Sequence, residues 1–309
     1  MCPESIFTIS LFGKPKSLYE LCFIFGLITV PIVLFSLRRR FQYTRQQAAF
    51  YSLFTLAFGY LSAMITAWLE NGLLTLASDG AFDNFEKIRN YGIPMFLPVF
   101  ILLYCLFFRD AFRKVSDYIA PCVLSVMTFV KLGCVFQGCC YGAPDEHGIM
   151  NVDLGYKTFP VQVYDTLSMF AIFIVCIILI QTIGKKKTGY VYPIGGMLYA
   201  ATKGFWECFR VHSSVWEKNF FNTGWTFWQF WMLILFIGCL VWLILVIRRE
   251  KQGVPDYDER EDMKLPNLKD NKLTQQVSAK MQELKQQRQK QKQRNAKKAP
   301  AKKKKKKKK

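Results

Sequence analysis

Apolar residues in this chain are concentrated in runs that are separated by short polar segments. The seven runs cover about residues 19–37, 48–69, 93–108, 118–136, 161–183, 190–208 and 226–247. Most of them are long enough to cross a bilayer, which takes about 20 residues in a helix. The pattern therefore predicts an all-α, polytopic integral membrane protein with seven transmembrane helices.

The charges between the runs alternate along the chain. The segments after the first, third, fifth and seventh runs are basic, and they begin around Arg38, Arg109, Lys185 and Arg248. The segments after the second, fourth and sixth runs are predicted to face the opposite side, and the first two of these are richer in acid. Because basic loops prefer the cytoplasm, we expect a multi-pass protein with its N-terminus outside and its C-terminus cytoplasmic.

The formal net charge of +20 comes mainly from the C-terminal end. Residues 248–309 carry 23 basic and 8 acidic residues, whereas the preceding 247 residues carry 19 and 14. A segment so charged and so poor in apolar residues is not expected to fold alone. We therefore divide the chain into an extracytoplasmic N-terminus (1–16), a seven-helix transmembrane domain (17–249) and a disordered, basic, low-complexity cytoplasmic tail (250–309).

Three interpretations of this basic tail remain open. It could be a solvated extension, a tether that attracts anionic lipid headgroups, or a contact for RNA or ribosomes. Residues 260–309 contain no aromatic side chain that could stack on a base. We therefore expect no specific nucleic-acid partner.

Several polar side chains interrupt the apolar runs or adjoin them. They are Lys131 and Gln137 at the end of the fourth run, Gln162, Tyr164 and Asp165 at the start of the fifth, and Lys203, Glu207 and Arg210 at the end of the sixth. With the orientation above, all of them are predicted to lie toward the outer leaflet. Ionisable groups at membrane depth are costly, so these residues are candidates for a functional site.

The charges at the end of the sixth run are spaced for one helix face. Lys203, Glu207 and Arg210 follow each other at intervals of four and three residues, which are neighbouring positions on a helix. Together with Lys131 they predict a cationic pocket for a phosphate, which lysine contacts as a point charge and arginine as a fork. The alternative is mutual neutralisation. Lys131 would then pair with Asp165, and Lys203 with the acid one turn later.

A turn with adjacent cysteines, GCCYG at residues 138–142, follows the fourth run. Its glycines permit left-handed backbone and close approach of other chain segments. A metal site, a redox pair and a nucleophilic cysteine are alternatives. His147 is the only additional ligand nearby and no second pair of cysteines follows, so the pattern favours a tight turn with packed small side chains. We expect neither a metal nor a cofactor.

Three motifs occur in a fixed order: GCCYG, then FPVQVYD at residues 159–165, then YPIGGMLYAATKGFWECFR at residues 192–210. In this order and spacing they resemble prolipoprotein diacylglyceryl transferases, seven-span enzymes of the bacterial plasma membrane. Tyr19 and Gly26 are similar to the family's Y-G-x(6)-G pattern, although Glu20 stands in place of the first glycine. The resemblance covers the predicted transmembrane domain.

The chain departs from the family pattern at two cations and one motif. Lys131 and Lys203 stand where the family usually has essential arginines, and lysine keeps the charge without the bidentate fork. The family's His-Gly-Gly motif in the third span is represented only by residues 91–93, which begin with Tyr91.

The resemblance implies transfer of the diacylglyceryl group of phosphatidylglycerol to the lipobox cysteine thiol of a prolipoprotein signal peptide, with release of glycerol phosphate. Membrane lipid and the signal peptide would be its partners. The catalytic residues would be Lys131, Lys203, Glu207 and Tyr91. The substrate-binding residues would be Arg210, Gln137, Gln162, Tyr164, Asp165, Tyr19, Gly138 and Gly142.

Two other functions are also compatible with the sequence. The replaced arginines and histidine are compatible with a catalytically impaired relative that binds anionic phospholipid or a membrane partner. A related membrane enzyme that acts on another phospholipid or thiol acceptor is the second alternative.

Overall fold

The computed structural model describes residues 8–11, 14–78, 92–108, 110–151, 154–183, 187–211 and 224–253. All of them belong to one compact unit, Met1–Glu259. The predicted tail lies almost entirely outside the described residues. The three-part division of the chain therefore stays a prediction.

The described residues form seven helices. They are α1 (Leu18–Leu37), α2 (Arg45–Ser78), α3 (Ile93–Phe108), α4 (Phe112–Gln137), α5 (Val161–Gln181), α6 (Val191–Glu207) and α7 (Phe227–Lys251). Each lies where an apolar run predicts a helix. Most ends agree within a few residues, but α2 extends well beyond its run and α4 begins earlier than its run.

Five of these helices, α1, α2, α4, α5 and α7, are long and apolar enough to cross a membrane. With 16 residues, α3 is shorter than the about 20 that a straight crossing needs. Helix α6 has 17 residues. The protein is therefore a mostly helical, multi-pass membrane protein, while the count of seven spans and the direction of its termini stay predictions.

The expectation of an all-α fold is wrong at two short antiparallel hairpins. Strand β1 (Thr8–Leu11) pairs with β2 (Lys14–Ser17), and β3 (Pro144–Asn151) pairs with β4 (Tyr156–Thr158). Proline, acidic residues and glycine in β3 have low strand propensity, so its composition does not predict a strand. Backbone pairing forms this hairpin between α4 and α5.

Helix α4 lies at the centre of the bundle. It packs against α1, α3, α5 and α6, and most of its residues are buried. Val115, Ile119 and Val130 belong to the apolar core. This central position surrounds the helix with apolar neighbours, and it brings Lys131, in its last two turns, next to other helix ends.

Side chains fix the starts of two helices that matter for the site. At α1, Ser17 Oγ accepts a hydrogen bond from the Glu20 amide at 3.1 Å, and Glu20 Oε2 accepts one from the Ser17 amide at 3.3 Å. This capping box gives Glu20 a structural role where the family pattern has glycine. At α6, the carboxylate of Asp117 accepts backbone hydrogen bonds at 2.6 to 3.2 Å from the amides of residues 189–192.

Candidate active site

The end of α4, the start of α5 and the end of α6 meet at one end of the bundle. Lys131 Nζ of α4 lies 3.1 Å from Asp165 Oδ2 of α5. The same carboxylate oxygen accepts a hydrogen bond from Lys203 Nζ of α6 at 2.7 Å. One buried acid therefore joins the two lysines that stand at arginine positions of the family pattern.

The ion pairs continue along α6 and past its end. Lys203 Nζ lies 3.1 Å from Glu207 Oε2, and Glu207 Oε1 lies 3.3 Å from Arg210 Nη1. We call the five residues from Lys131 through Asp165, Lys203 and Glu207 to Arg210 the ion-pair row. Both pairs of the neutralisation alternative are present in it. The contact between Lys203 and Asp165, which joins them, was not predicted.

Counted by themselves, without the neighbouring thiols, the three cations and two carboxylates of the ion-pair row leave one positive charge. The two acids are buried, with Asp165 and Glu207 each 1% exposed. The cations at the two ends are more accessible: the side chain of Lys131 is 15% exposed and that of Arg210 is 23% exposed. Buried charges are stable only when their partners compensate for lost hydration, so removing one member leaves another uncompensated.

Two polar atoms of the row lack a partner within the described part of the chain. They are Oδ1 of Asp165 and Nε of Arg210, and both are buried. Buried polar groups are normally hydrogen-bonded, so an exception calls for an explanation. A ligand that brings both donors and acceptors to this end of the bundle would satisfy both atoms.

The GCCYG turn is held against the end of α6 by its backbone. Gly138 ends α4 in the left-handed conformation, with φ of 68°. Gly142 donates a hydrogen bond to Phe159 O at 2.9 Å and forms an isolated β-bridge with Arg210. A Cβ at Gly142 would lie 2.8 Å from the carbonyl oxygens of both Phe159 and Phe209, so only glycine fits.

Three thiols meet beside the ion-pair row. The sulfur atoms of Cys134, Cys139 and Cys140 all lie within 4.8 Å of one another. Arg210 Nη2 donates a hydrogen bond to Cys140 Sγ at 3.2 Å. Hydrogen bonds from Cys134 and Cys139, together with the charges of Arg210 and Lys131, hold the pKa of the Cys140 thiol well below its usual value.

Sequence reasoning considered only the adjacent pair in this cluster and missed Cys134. The missed thiol lies in the last turn of α4, and the left-handed residue Gly138 turns the chain back so that the next two thiols approach it. The spacing of a cysteine, a helix-ending glycine and two further cysteines was the available signal.

An open cleft of about 460 Å³ lies beside α6, between that helix and α7. Its lining is mostly small or apolar and comprises Ala200, Ala201, Gly204, Cys208, Gly224, Trp225, Gln229, Met232, Leu233 and Phe236. Gly204 and Cys208 directly follow Lys203 and Glu207 in sequence. Neighbouring residues at the end of α6 therefore contribute to the cleft and to the ion-pair row.

The sequence profile of the family described as prolipoprotein diacylglyceryl transferase matches residues 7–245, which is more than half of the chain. The chain belongs to this family. A phosphatidylglycerol–prolipoprotein diacylglyceryl transferase from Tolumonas auensis is 29% identical over 93 residues. That match covers 30% of this chain and 34% of the relative, so it spans about a third of each protein.

The family resemblance that the motifs predict is thereby confirmed, and the chain is a member of a transferase family. The residues to which the resemblance gives roles fall into three groups in the structure. Five of them form the ion-pair row, six others are found on neighbouring elements, and Tyr91 lies outside the described residues.

Three of the neighbouring residues lie on helices that carry the row or, in the case of α1, on a helix that packs against one of them. Gln162 is buried in the first turn of α5, one turn before Asp165. Gln137 is the half-buried last residue of α4. Tyr19 of α1 is half-buried and packs against α4 so closely that a Cβ at Gly133 would lie 2.9 Å from its ring.

Tyr164 has a different environment from the residue that follows it. It is 37% exposed, and its ring stacks between those of Phe159 and Trp206, with centroids at 5.3 and 4.9 Å. Trp206 in turn donates a hydrogen bond to Ser168 Oγ at 2.9 Å. The ring of Tyr164 therefore joins α5 to α6 at the surface, beside the row.

Proposed function

We propose that this protein transfers the diacylglyceryl group of phosphatidylglycerol to the lipobox cysteine thiol of a prolipoprotein and releases glycerol phosphate. Family membership supports the class of reaction, and the name of the Tolumonas relative supports the two substrates. The observation that carries the proposal is the ion-pair row, a buried cluster with one surplus cation at a single end of the bundle.

The chemistry of the leaving group fits this surplus charge. The reaction breaks the bond between a glyceryl carbon and a phosphate oxygen, and the departing phosphate gains negative charge. Cations fixed where that charge develops stabilise the transition state more than the bound lipid. Lys131 and Arg210, the more exposed ends of the row, would contact the phosphate.

The buried middle of the row would hold these two contacts in position. Lys203 lies between two carboxylates, 2.7 Å from Asp165 and 3.1 Å from Glu207. Each of those acids also binds one end cation. A phosphate that binds Lys131 and Arg210 would therefore contact cations that are already oriented. Less reorganisation of these side chains is then needed during the reaction.

The neighbouring polar residues would orient the rest of the lipid. Gln162 shares a face of α5 with Asp165 and offers an amide to the glycerol headgroup. The cleft along α6 offers apolar surface for acyl chains next to Lys203 and Glu207. Tyr91, Gln137, Tyr19 and Tyr164 keep the roles that the resemblance implies as predictions.

A direct assay tests this function. The full-length protein is reconstituted in phosphatidylglycerol vesicles with a synthetic lipobox peptide, and mass spectrometry follows the peptide mass. We expect a diacylglyceryl thioether on the cysteine peptide, and none on a peptide with serine at that position or in phosphatidylethanolamine vesicles. A folded protein that forms no thioether would contradict the proposal.

One observation favours a second candidate, a catalytically impaired relative that binds anionic phospholipid. Both lysines at arginine positions contact the same oxygen of Asp165, so part of their charge is already compensated. This candidate predicts that the protein binds phosphatidylglycerol vesicles without turnover. If Lys131→Arg and Lys203→Arg raise a transfer rate that is already measurable, the second candidate is excluded.

A further inference from the structure

The three thiols beside the ion-pair row have no role in the mechanism above. Their sulfur atoms lie within 4.8 Å of one another. Sulfurs bound to one zinc ion through bonds of about 2.3 Å lie about 3.8 Å apart in a tetrahedral site. Side-chain shifts of about 1 Å or less would therefore bring Cys134, Cys139 and Cys140 into a zinc coordination shell.

The backbone holds this arrangement in a conformation that is costly for a cysteine. Cys140 has a φ of 62°, and the only other non-glycine residue with positive φ in the described ranges is Gln42. Left-handed backbone is disfavoured for side chains with a Cβ, and such residues cluster at functional sites. The turn is clamped on its far side by Gly142, so Cys140 is directed toward the other two thiols.

The neighbouring charge suits a metal bound by three thiolates. Three thiolates around a divalent cation carry one net negative charge. Arg210 lies at the end of the ion-pair row and points Nη2 at Cys140 Sγ from 3.2 Å. Hydrogen bonds of this kind, from outside the coordination shell, orient metal ligands and offset their charge.

We infer, contrary to the expectation from sequence that no metal is bound, that Cys134, Cys139 and Cys140 bind a zinc ion and leave its fourth position open to the acceptor thiol of the lipid transfer. Zinc sites with three protein ligands and one open position are the catalytic form. A thiol that coordinates such an ion is deprotonated outright, and the thiolate is the nucleophile. The inference rests on the proposed function, because the acceptor thiol is that of the lipobox cysteine.

The step balances without an oxidant or a reductant. The acceptor thiol gives its proton to water when its sulfur binds the metal. The sulfur then attacks the glyceryl carbon, a carbon–sulfur bond forms, and the bond between that carbon and the phosphate oxygen breaks. Its electron pair leaves with glycerol phosphate, whose added charge lies toward Arg210 and Lys131. The thioether product is neutral and a weaker metal ligand, so it dissociates.

Metal binding can be tested independently of catalysis. The full-length protein is purified in detergent, its zinc content is measured, and the ion is removed with a chelator and replaced by cobalt(II). We expect about one ion per chain and a thiolate-to-cobalt charge-transfer absorption. Cys134→Ser and Cys140→Ser should weaken zinc binding at least about tenfold, whereas Cys208→Ser, which removes a thiol outside the cluster, should not.

The open coordination position has its own readout. A lipobox peptide should change the cobalt spectrum of the wild-type protein, and the matching serine peptide should not. Wild-type protein that takes up neither zinc nor cobalt overturns the inference. A cobalt spectrum that does not change when the cysteine peptide is added overturns it as well. Because these results come from the wild-type chain, a variant that fails to fold does not affect them.

Activity separates this inference from the proposed function. Zinc-loaded protein should form the thioether at least about tenfold faster than chelated protein. Equal transfer rates with and without the metal overturn the zinc inference and leave the proposed function standing. A metal-loaded protein that responds to the cysteine peptide but forms no thioether supports the site and overturns the proposed function.

Discussion

Two buried aspartates at different positions along the bundle have very different partners. Asp117, at the start of α4, accepts hydrogen bonds from the four amides of residues 189–192 and thereby caps α6. Asp165, at the start of α5, binds two lysines through Oδ2, and its Oδ1 has no partner among the described residues. Both side chains are 1% exposed, so burial alone does not distinguish them.

The difference lies in what satisfies each carboxylate. The partners of Asp117 are backbone amides at a helix start, which have no other acceptor and cannot move away. The partners of Asp165 are long side chains whose charges a ligand can share. Lys131 lies fourteen residues after Asp117 on the same helix, or about 21 Å along its axis. One end of α4 therefore stabilises the fold, while we propose that the other presents charge to a substrate.

The largest expected effect follows from removing the central cation of the row. Lys203→Met should lower the transfer rate about 100-fold or more, because no charge then holds Asp165 and Glu207 together beneath the leaving phosphate. Lys203→Arg keeps the charge and restores the residue usual in the family, so it should retain activity. Initial rates of thioether formation per folded molecule measure both. A methionine variant as active as the wild type would contradict the role given to the row.

The next effect concerns stability at the other aspartate. Asp117→Asn replaces one acceptor oxygen by an amide group that donates, so part of the cap of α6 is lost. We expect the free energy of unfolding to fall by about 2–3 kcal/mol. Denaturant unfolding in detergent measures it. Asp145→Asn, on the exposed hairpin, is the control and should change stability by less than about 0.5 kcal/mol.

The helices were predictable from sequence because the thickness of the bilayer sets both the length of an apolar run and the length of the helix that it forms. The pairs Lys131–Asp165 and Lys203–Glu207 were also predictable, from the common end of their runs and from spacing. The link between the pairs was not, since the contact of Lys203 with Asp165 depends on how α5 and α6 pack. The closeness of Cys134 to the other two thiols was missed because it depends on the direction in which the chain leaves α4.

The cap at Asp117 and the hairpin between α4 and α5 were missed for a related reason. Both depend on backbone amides of one segment meeting acceptors of another, 72 residues or more away in the case of Asp117. A pattern of side chains along the sequence does not indicate which distant segments form backbone hydrogen bonds. The ion-pair row was therefore visible in part from sequence, whereas the cap at the start of α6 was not.

A smaller effect should follow from loosening the clamp between the GCCYG turn and α6. In Gly142→Ala the new Cβ would press on the carbonyl oxygens of Phe159 and Phe209, so the turn must shift away from Arg210. We expect a loss of about 1–3 kcal/mol of stability and a lower transfer rate per folded molecule. The control is Gly238→Ala in α7, where a Cβ meets nothing within 4 Å. Equal behaviour of the two variants would argue against the clamp.

The smallest effect is expected at the surface beside the row. Tyr164→Phe keeps the ring stacked between Phe159 and Trp206, so the free energy of unfolding should change by less than about 0.5 kcal/mol. If the hydroxyl positions the lipid headgroup, KM for phosphatidylglycerol rises while kcat is retained. A fall in kcat with unchanged KM would place the hydroxyl in the chemical step instead.

The two aspartates also provide the most direct test of the account. The measurement is the transfer rate from phosphatidylglycerol to a lipobox peptide per folded molecule, for the wild type, Asp165→Asn and Asp117→Asn. We predict that Asp165→Asn loses at least about tenfold of this rate, because the lysines lose the charge that orients them, while folded Asp117→Asn keeps it. Equal rates per folded molecule for the two variants would contradict the assignment of catalysis to the ion-pair row.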